Sequence, residues 1–207
     1  RGVGIASMRY GIGTSGDIQQ PGRVSLELET AGRVRLLTGA VDLGQGSDTA
    51  LTLIVAKELA LSPDLISVVS GDTAATPDSG SSTGSRLIFY AGNAAHTSAT
   101  LLKESVMDTA SGMLESPLEE LRLSEGQIIL NKASNGSAAR SVSLAQVVQA
   151  RKSAGLSLRF DGEFIPTSFD SKASVGNLSP YAVYVSATHL AEVEVDTETG
   201  SVRVLRV

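Results

Sequence analysis

With 207 residues, 42% of them apolar and 19% charged, the chain carries enough material for one ordinary domain or two apposed lobes. Seventeen Lys and Arg against 22 Asp and Glu leave a formal net charge of −5, which argues against a nucleic-acid partner, and no stretch approaches the roughly 20 continuous apolar residues of a bilayer crossing. The absence of cysteine excludes a disulfide framework, a thiolate nucleophile and iron–sulfur ligation within this chain, so electron transfer would call on a bound cofactor or another chain.

The N-terminal Arg1-Gly2-Val3-Gly4-Ile5 lacks the basic-then-apolar layout of a signal peptide, and a cytoplasmic setting is expected. The sequence starts without Met and stops at Val207 inside what reads as a strand, as expected of an internal segment of a longer protein.

Residues 2–10 and 22–43 read as strands. The second alternates at Val24, Leu26 and Leu28, turns at residues 30–33, and resumes at Val34 and Leu36. Between them, Gly11-Ile12-Gly13-Thr14-Ser15-Gly16 matches the G-x-G-x-x-G dinucleotide pattern. That motif hands a pyrophosphate to the next helix, and Asp17-Ile18-Gln19-Gln20-Pro21-Gly22 cannot form one, so a glycine-rich connection is expected there.

Residues 49–61 are apolar on nearly every side, which predicts a buried helix with Ser47 or Asp48 as N-cap and Pro63 just beyond its end. A short strand at 65–69 gives way to an extended loop over 71–86, rich in Ser, Gly, Thr and Pro. Apolar steps of three and four from Ala95 to Met113 predict an amphipathic helix over 93–114.

Residues 121–130 read as a small hairpin, 131–140 as an exposed polar segment, and 144–153 as a helix capped by Ser143 and stopped by Gly155. Residues 162–180 lack periodicity and read as an extended arm. Alternation at 181–195, a turn at 196–200 and Val202-Arg203-Val204 predict a terminal hairpin. Strands and helices mix without a steady βαβ rhythm. The expected class is α+β, with mixed or antiparallel sheets and helices packed on one face, as one domain or as two lobes at about 1–115 and 116–207.

Two loops have the context for chemistry. Gly44-Gln45-Gly46-Ser47 and Gly80-Ser81-Ser82-Thr83-Gly84-Ser85-Arg86 each lie between a strand and a helix. A helix start offers unpaired N–H groups and partial positive charge, glycine admits a ligand to the backbone, and hydroxyls add donors. Arg86 adds a forked cationic contact for phosphate or carboxylate. An amide between two glycines has no apolar surface to cover, so Gln45 reads as a hydrogen-bonding group. Either loop alone could simply be a connection. Asp72 and Asp78 read as Asx-type turns, and His96 and His189 as structural residues. No general acid and base pair and no Ser/His/Asp set stands out.

The order of segments resembles the molybdopterin-binding large subunit of the xanthine oxidase/aldehyde oxidase family of molybdenum hydroxylases. Four stretches carry the likeness: Arg1-Gly2-Val3-Gly4-Ile5-Ala6 running into Tyr10-Gly11-Ile12-Gly13; Val41-Asp42-Leu43-Gly44-Gln45-Gly46-Ser47-Asp48-Thr49; Gly71-Asp72-Thr73 with Thr76-Pro77-Asp78-Ser79-Gly80, Gly84-Ser85-Arg86 and Gly92-Asn93-Ala94; and Ala191-Glu192-Val193-Glu194-Val195-Asp196 with Thr199-Gly200.

The resemblance implies hydroxylation of an N-heterocycle or an aldehyde carbon with oxygen from water. Molybdenum would be held by a molybdopterin cofactor in its cytosine dinucleotide form. Electrons would leave through 2Fe–2S clusters and FAD on partner subunits or domains, and the rest of the large subunit would complete the site. It places Gly44, Gln45, Gly46 and Ser47 against the molybdenum–pterin unit, with the Gln45 amide near an oxo ligand, and Gly84, Ser85 and Arg86 against the pterin or its phosphates.

No residue here is implied as a direct metal ligand or as catalytic. The family's general-base glutamate belongs to a Gly-Glu segment beyond Val207, and Glu163 lies in the wrong segment to replace it, so this piece is expected to be inactive alone. Thr14 stands where some relatives place an aromatic residue against a ring substrate. A non-catalytic subunit or binding module that keeps the fold is the main alternative; a Ser/Gly-rich adhesion domain leaves Gln45 unexplained.

Overall fold

The computed structural model describes residues 1–13, 20–131, 140–166 and 181–207. Val24, Leu26 and Leu28 alternate along β2 (Gly22–Leu28), facing Thr38, Leu36 and Val34 of β3 (Val34–Thr38), and this period of two buries one face of the hairpin. After β3 the chain leaves the sheet, forms α1 (Ser47–Leu59), and returns as β4 (Ile66–Ser70), parallel to β3. A crossover through a helix is the usual way to bring two neighbouring strands into parallel register. On the other edge β2 pairs antiparallel with β8 (Arg159–Phe164), giving a mixed sheet of order β4-β3-β2-β8.

The long helix α2 (Arg86–Leu114) crosses this sheet at close range. A Cβ on Gly162 of β8 would stand 2.1 Å from the Ala94 carbonyl oxygen, so glycine is what lets strand and helix backbones touch. Ser98 of α2 then donates to the Phe160 carbonyl at 2.6 Å. Strands and helices share one apolar core running from Val24 to Val148.

Two elements depart from the periodicity. Residues 159–164 form the edge strand β8, although the extended arm expected over 162–180 takes in its second half, and α2 starts at Arg86, seven residues before its amphipathic pattern is legible. Nor is α1 buried all round: Leu51, Val55 and Leu59 face the core, whereas Leu53 is 53% exposed.

The hairpin β5 (Leu121–Ser124) and β6 (Gln127–Leu130) turns through Glu125 and Gly126, both at positive φ, and pairs with β7 (Ser141–Ser143). Helix α3 (Leu144–Ser153) opens on a capping box. Ser143 Oγ accepts the Gln146 N–H at 3.2 Å, and Gln146 Oε1 accepts the Ser143 N–H at 2.8 Å. The polar segment expected at 131–140 lies mostly outside the described residues, as do residues 167–180 of the expected arm.

All of these elements belong to a compact unit of residues 18–166; residues 1–17 and 167–207 make a second. The chain thus divides into a continuous middle and a unit built from its two ends, because β1 (Gly2–Ile12) takes β9 (Val183–Val195) as its antiparallel partner. β10 (Val202–Arg206) lies on the far side of β9, after a turn in which the Asp196 carboxylate accepts the N–H groups of Glu198 and Thr199. The class is α+β. No helix among the described residues is long and apolar enough to cross a membrane.

Candidate functional site

The bend between β3 and α1 is shaped by one carboxylate. Asp42 accepts the N–H of Gly44 at 2.8 Å and of Gly46 at 3.3 Å on one oxygen, and that of Asp48 at 3.2 Å on the other. These backbone donors, Gly44 and Asp48 foremost, hold the Asp42 carboxyl below the usual carboxylate range, against the opposing effect of burial. Gly44 and Gly46 sit at φ 104° and 77°, where glycine is strongly favoured.

Asp42 therefore takes over the capping role expected of Ser47 or Asp48. The cap position is Gly46, with no side-chain cap of its own, and Asp48 places an acid in the first turn. The α1 entrance is an anion seat already filled from within the chain.

Gln45 lies on this bend with its amide folded back. Its Oε1 accepts the Leu43 N–H at 2.5 Å, and its Nε2 donates to the Val41 carbonyl at 3.2 Å and to Ser47 Oγ at 3.0 Å. Gln45 is exposed and Ser47 is buried beneath it.

The second loop is anchored tightly at its base. A Cβ on Gly39 would stand 2.5 Å from the Pro77 carbonyl oxygen. The buried Ser79 hydroxyl donates to the Arg23 carbonyl, and Gln20 Oε1 accepts the N–H and the hydroxyl of Ser81 at 3.1 and 3.0 Å. Asp72 and Asp78 accept the N–H two residues on, at Ala74 and Gly80, and make the expected Asx turns.

Arg86 does not reach outward. It is 1% exposed, stacks over Tyr90 at 4.3 Å, and donates to the carbonyls of Ser79 and Ser81, both at 2.9 Å, and of Gln20 at 2.6 Å. Burial lowers its pKa from the ordinary guanidinium value, while Tyr90 and Asp78 pull the other way. Its work is to strap the loop to the entrance of β2.

Ser85 begins α2 at φ 54° with no side-chain cap, and the first turn carries no acid. The two bends face each other across a cleft of about 430 Å³, lined by Leu43, Gly44 and Gln45 on one side and by residues 82–85 with Leu87 on the other. The Val41 N–H donates across to Ser82 Oγ at 3.4 Å.

Of the seven residues singled out from the sequence, Gly44, Gln45, Gly84 and Ser85 line this cleft, Gly46 borders it on the bend, and Ser47 and Arg86 are buried supports. Sequence reasoning missed Asp42, Gln20, Leu43 and Leu87 as site residues, and named Ser82 and Thr83 only as part of their loop. Asp42 had a local signal, an Asp two residues before a glycine whose N–H it can accept. Gln20 had none.

The remaining candidates lie elsewhere. His96 Nε2 sits 3.4 Å from the Glu58 carboxylate, which also pairs with Lys103 at 3.1 Å. Glu163 on β8 pairs with Arg23 at 2.6 Å, and His189 lies on β9. In the glycine motif, Gly11 ends its β1 neighbourhood against Tyr181, while Thr14, Ser15 and Gly16 are outside the described residues.

A mixed sheet thus delivers two glycine-bearing bends to one cleft whose walls carry hydroxyls, backbone groups and the side chains of Leu43 and Leu87, with no acid among its lining residues, the kind of concave surface at which small molecules bind. The sequence model of the family described as the molybdopterin cofactor-binding domain matches residues 1–207, and the chain belongs to that family.

Among its relatives, the gamma subunit of the 6-hydroxypseudooxynicotine dehydrogenase complex of Paenarthrobacter nicotinovorans is 32% identical over 99% of this chain and 24% of its own length. The xanthine dehydrogenase molybdenum-binding subunit of Escherichia coli O157:H7 is 31% identical over 63% of this chain and 17% of its own. The solved aldehyde oxidoreductase of Desulfovibrio desulfuricans aligns with a TM-score of 0.71 at 27% identity, over 98% of this chain and 19% of that one. The chain spans a quarter or less of the length of these relatives.

Proposed function

We propose that the cleft between the Gln45 bend and the Ser85 bend is one wall of a molybdopterin seat in the large subunit of a molybdenum hydroxylase. The observation that carries this reading is the convergence of the two bends on one cleft. The residues present suit such a group. An anionic, acceptor-rich ligand needs donors and no competing carboxylate, and residues 82–85 supply hydroxyls at an uncapped helix start without a first-turn acid. The open space beside Gly44 and Gly46, where an added Cβ would meet nothing within 4 Å, leaves room for a ligand at the backbone.

On this reading Gly44, Gln45 and Gly46 face the molybdenum–pterin part, and Gly84 and Ser85 the pterin or its phosphates, in the cytosine dinucleotide form. Ser47 and Arg86 hold the two bends in place from behind. When bound, the group supplies two-electron oxidation of an N-heterocycle or aldehyde carbon with oxygen from water. The negative end of the ligand belongs at α2, because Asp42 and Asp48 already occupy the α1 entrance.

Partner subunits or domains carry 2Fe–2S clusters and FAD in the complete cytoplasmic enzyme, in keeping with a relative that is itself a subunit of a dehydrogenase complex. Glu163 is engaged by Arg23, the general base comes from outside this chain, and the chain alone is inactive.

The test is the molybdenum content of the full subunit carrying Gln45→Ala or Ser85→Asp. Both should fold as the parent does. Ser85→Asp places a carboxylate in the cleft, and its molybdenum content should fall by about tenfold, the effect of roughly 1.4 kcal/mol of lost affinity. Gln45→Ala should lower it less, by about threefold, as expected for one neutral hydrogen bond. Full molybdenum content in both variants would remove the cleft from consideration.

A further inference from the structure

The sheet of β1, β9 and β10 has two unlike faces, and the cleft explains neither. Residues paired directly across antiparallel strands share a face. On one face the Ser7 and Thr188 hydroxyls lie 2.9 Å apart, Arg9 stands over the Tyr184 ring at 4.1 Å, and Arg203 donates to Glu194 at 2.8 Å. Val3, Ile5 and Leu190 of that face are set between Glu192 and the Ser7–Thr188 pair. The other face carries Met8, Val193, Val195, Val202 and Val204, with Ala187 and Ala191 beside them. No Asp, Glu, Lys or Arg stands among its paired residues; its polar groups are the His189 imidazole and the Tyr10 hydroxyl.

An uncharged sheet face has the composition of a core, since a sheet buries its apolar side against another layer. In the middle unit the mixed sheet does so against α2. In the unit built from the two chain ends Met8 is 49% exposed, Val202 60% and Val204 59%, and no helix among the described residues belongs to that unit. Contacts that form and part keep charge and polarity on their surfaces, whereas permanent ones resemble a domain core cut in half. The absence of charge therefore favours a permanent cover. The relatives say where one could come from. Two that match 98–99% of this chain, both ends included, use only 24% and 19% of their own length to do so.

We propose that the uncharged face of the β1-β9-β10 sheet is the docking surface for another segment of the same polypeptide, an apolar segment that brings a hydrogen-bonding group to His189, while the charged face stays in water. This rests on the chain being part of a longer large subunit. It does not rest on the cleft holding a cofactor.

The test is a cysteine footprint on the full large subunit. Ser186, Ala187 and Thr188 are consecutive and all exposed in this chain, yet they alternate between the two faces. Maleimide labelling is read on each residue's own peptide by mass spectrometry. Ala187→Cys and Val204→Cys should react at least about tenfold more slowly than Ser186→Cys and Thr188→Cys, as groups do that react only when a packed face opens. Equally fast labelling at all four overturns the cover, and equally slow labelling overturns its one-sidedness.

The occupant is read from Met8, which lies on the uncharged face. The full subunit is grown with photo-methionine, irradiated, and digested, using a mixture of isotopically heavy and light subunits to separate links within one chain from links between copies. Met8 should join to a peptide of the same chain outside residues 1–207. Links between copies, to a different subunit, or only to residues 1–207 overturn the occupant. A flat footprint in a subunit whose molybdenum content falls in Ser85→Asp sinks the docking and leaves the cleft. An alternating footprint with full molybdenum content in both Gln45→Ala and Ser85→Asp sinks the cleft and leaves the docking.

Discussion

The two bends that meet at the cleft follow one plan, glycine and hydroxyl residues running into a helix, yet their helix starts are opposites. At α1 the positive end is neutralised from within, by Asp42 on the bend and Asp48 in the first turn. At α2 there is no side-chain cap and no first-turn acid, and the nearest cation, Arg86, is spent on carbonyls below the loop. A helix start attracts an anion only while its N–H groups are unclaimed. On the proposed reading similar sequence patterns therefore divide the work: the α1 bend would shape a hydrogen-bonding surface, and the α2 bend would be left to take negative charge.

The largest way to break the comparison is at Arg86. Replacing it with Leu removes three hydrogen bonds, one of them, to the Ser79 carbonyl, buried and two, to the Ser81 and Gln20 carbonyls, partly buried, and urea unfolding should show a loss of about 2–4 kcal/mol. A loss under about 1 kcal/mol would mean that the loop stands without its strap, within the range of an ordinary surface change.

The next is acid. The Asp42 carboxyl titrates below its unfolded value, so its contribution is complete above the ordinary carboxylate range and is lost as pH falls through the lowered value. Amide exchange at Gly44 and Gly46, corrected for the intrinsic pH dependence of exchange, should hold steady from neutral pH down to about 5 and rise only on further acidification. The α2 bend should not follow that transition, since its strap is a guanidinium that keeps its charge. Parallel loss at both bends would erase the distinction between them.

Much of the fold was legible because its signals are local. Ser143 and Gln146 spell out a capping box, and α3 runs over the residues expected. The alternation at Val24, Leu26 and Leu28 marks β2, and the turn before Val202 marks the last hairpin. What escaped depends on distant partners. β8 is a strand because β2 accepts it and because Gly162 lets α2 come within touching range, and neither fact is written in residues 159–164. The first two turns of α2 hold Arg86, buried by its bonds to residues 20, 79 and 81, and Tyr90, buried against Arg86 and Phe164, and both break the apolar spacing.

The site shows the same division. Glycines at 44, 46 and 84 and the lone amide of Gln45 single out the two bends from sequence alone, and Gly44, Gln45 and Gly84 do line the cleft. Nothing in the sequence tells that Arg86 turns inward, since a guanidinium beside Ser and Gly suits a phosphate as well as a set of carbonyls. Nor does the sequence show that the Gln45 amide is held by Val41 and Ser47, which requires the backbone curvature that Asp42 imposes.

The most direct measurement is the structure of the molybdenum-loaded subunit at a resolution that fixes the side-chain amides. The account predicts the pterin group between residues 43–45 and 82–85, with its anionic portion toward the start of α2. A cofactor bound elsewhere, with the cleft filled by solvent, would contradict it.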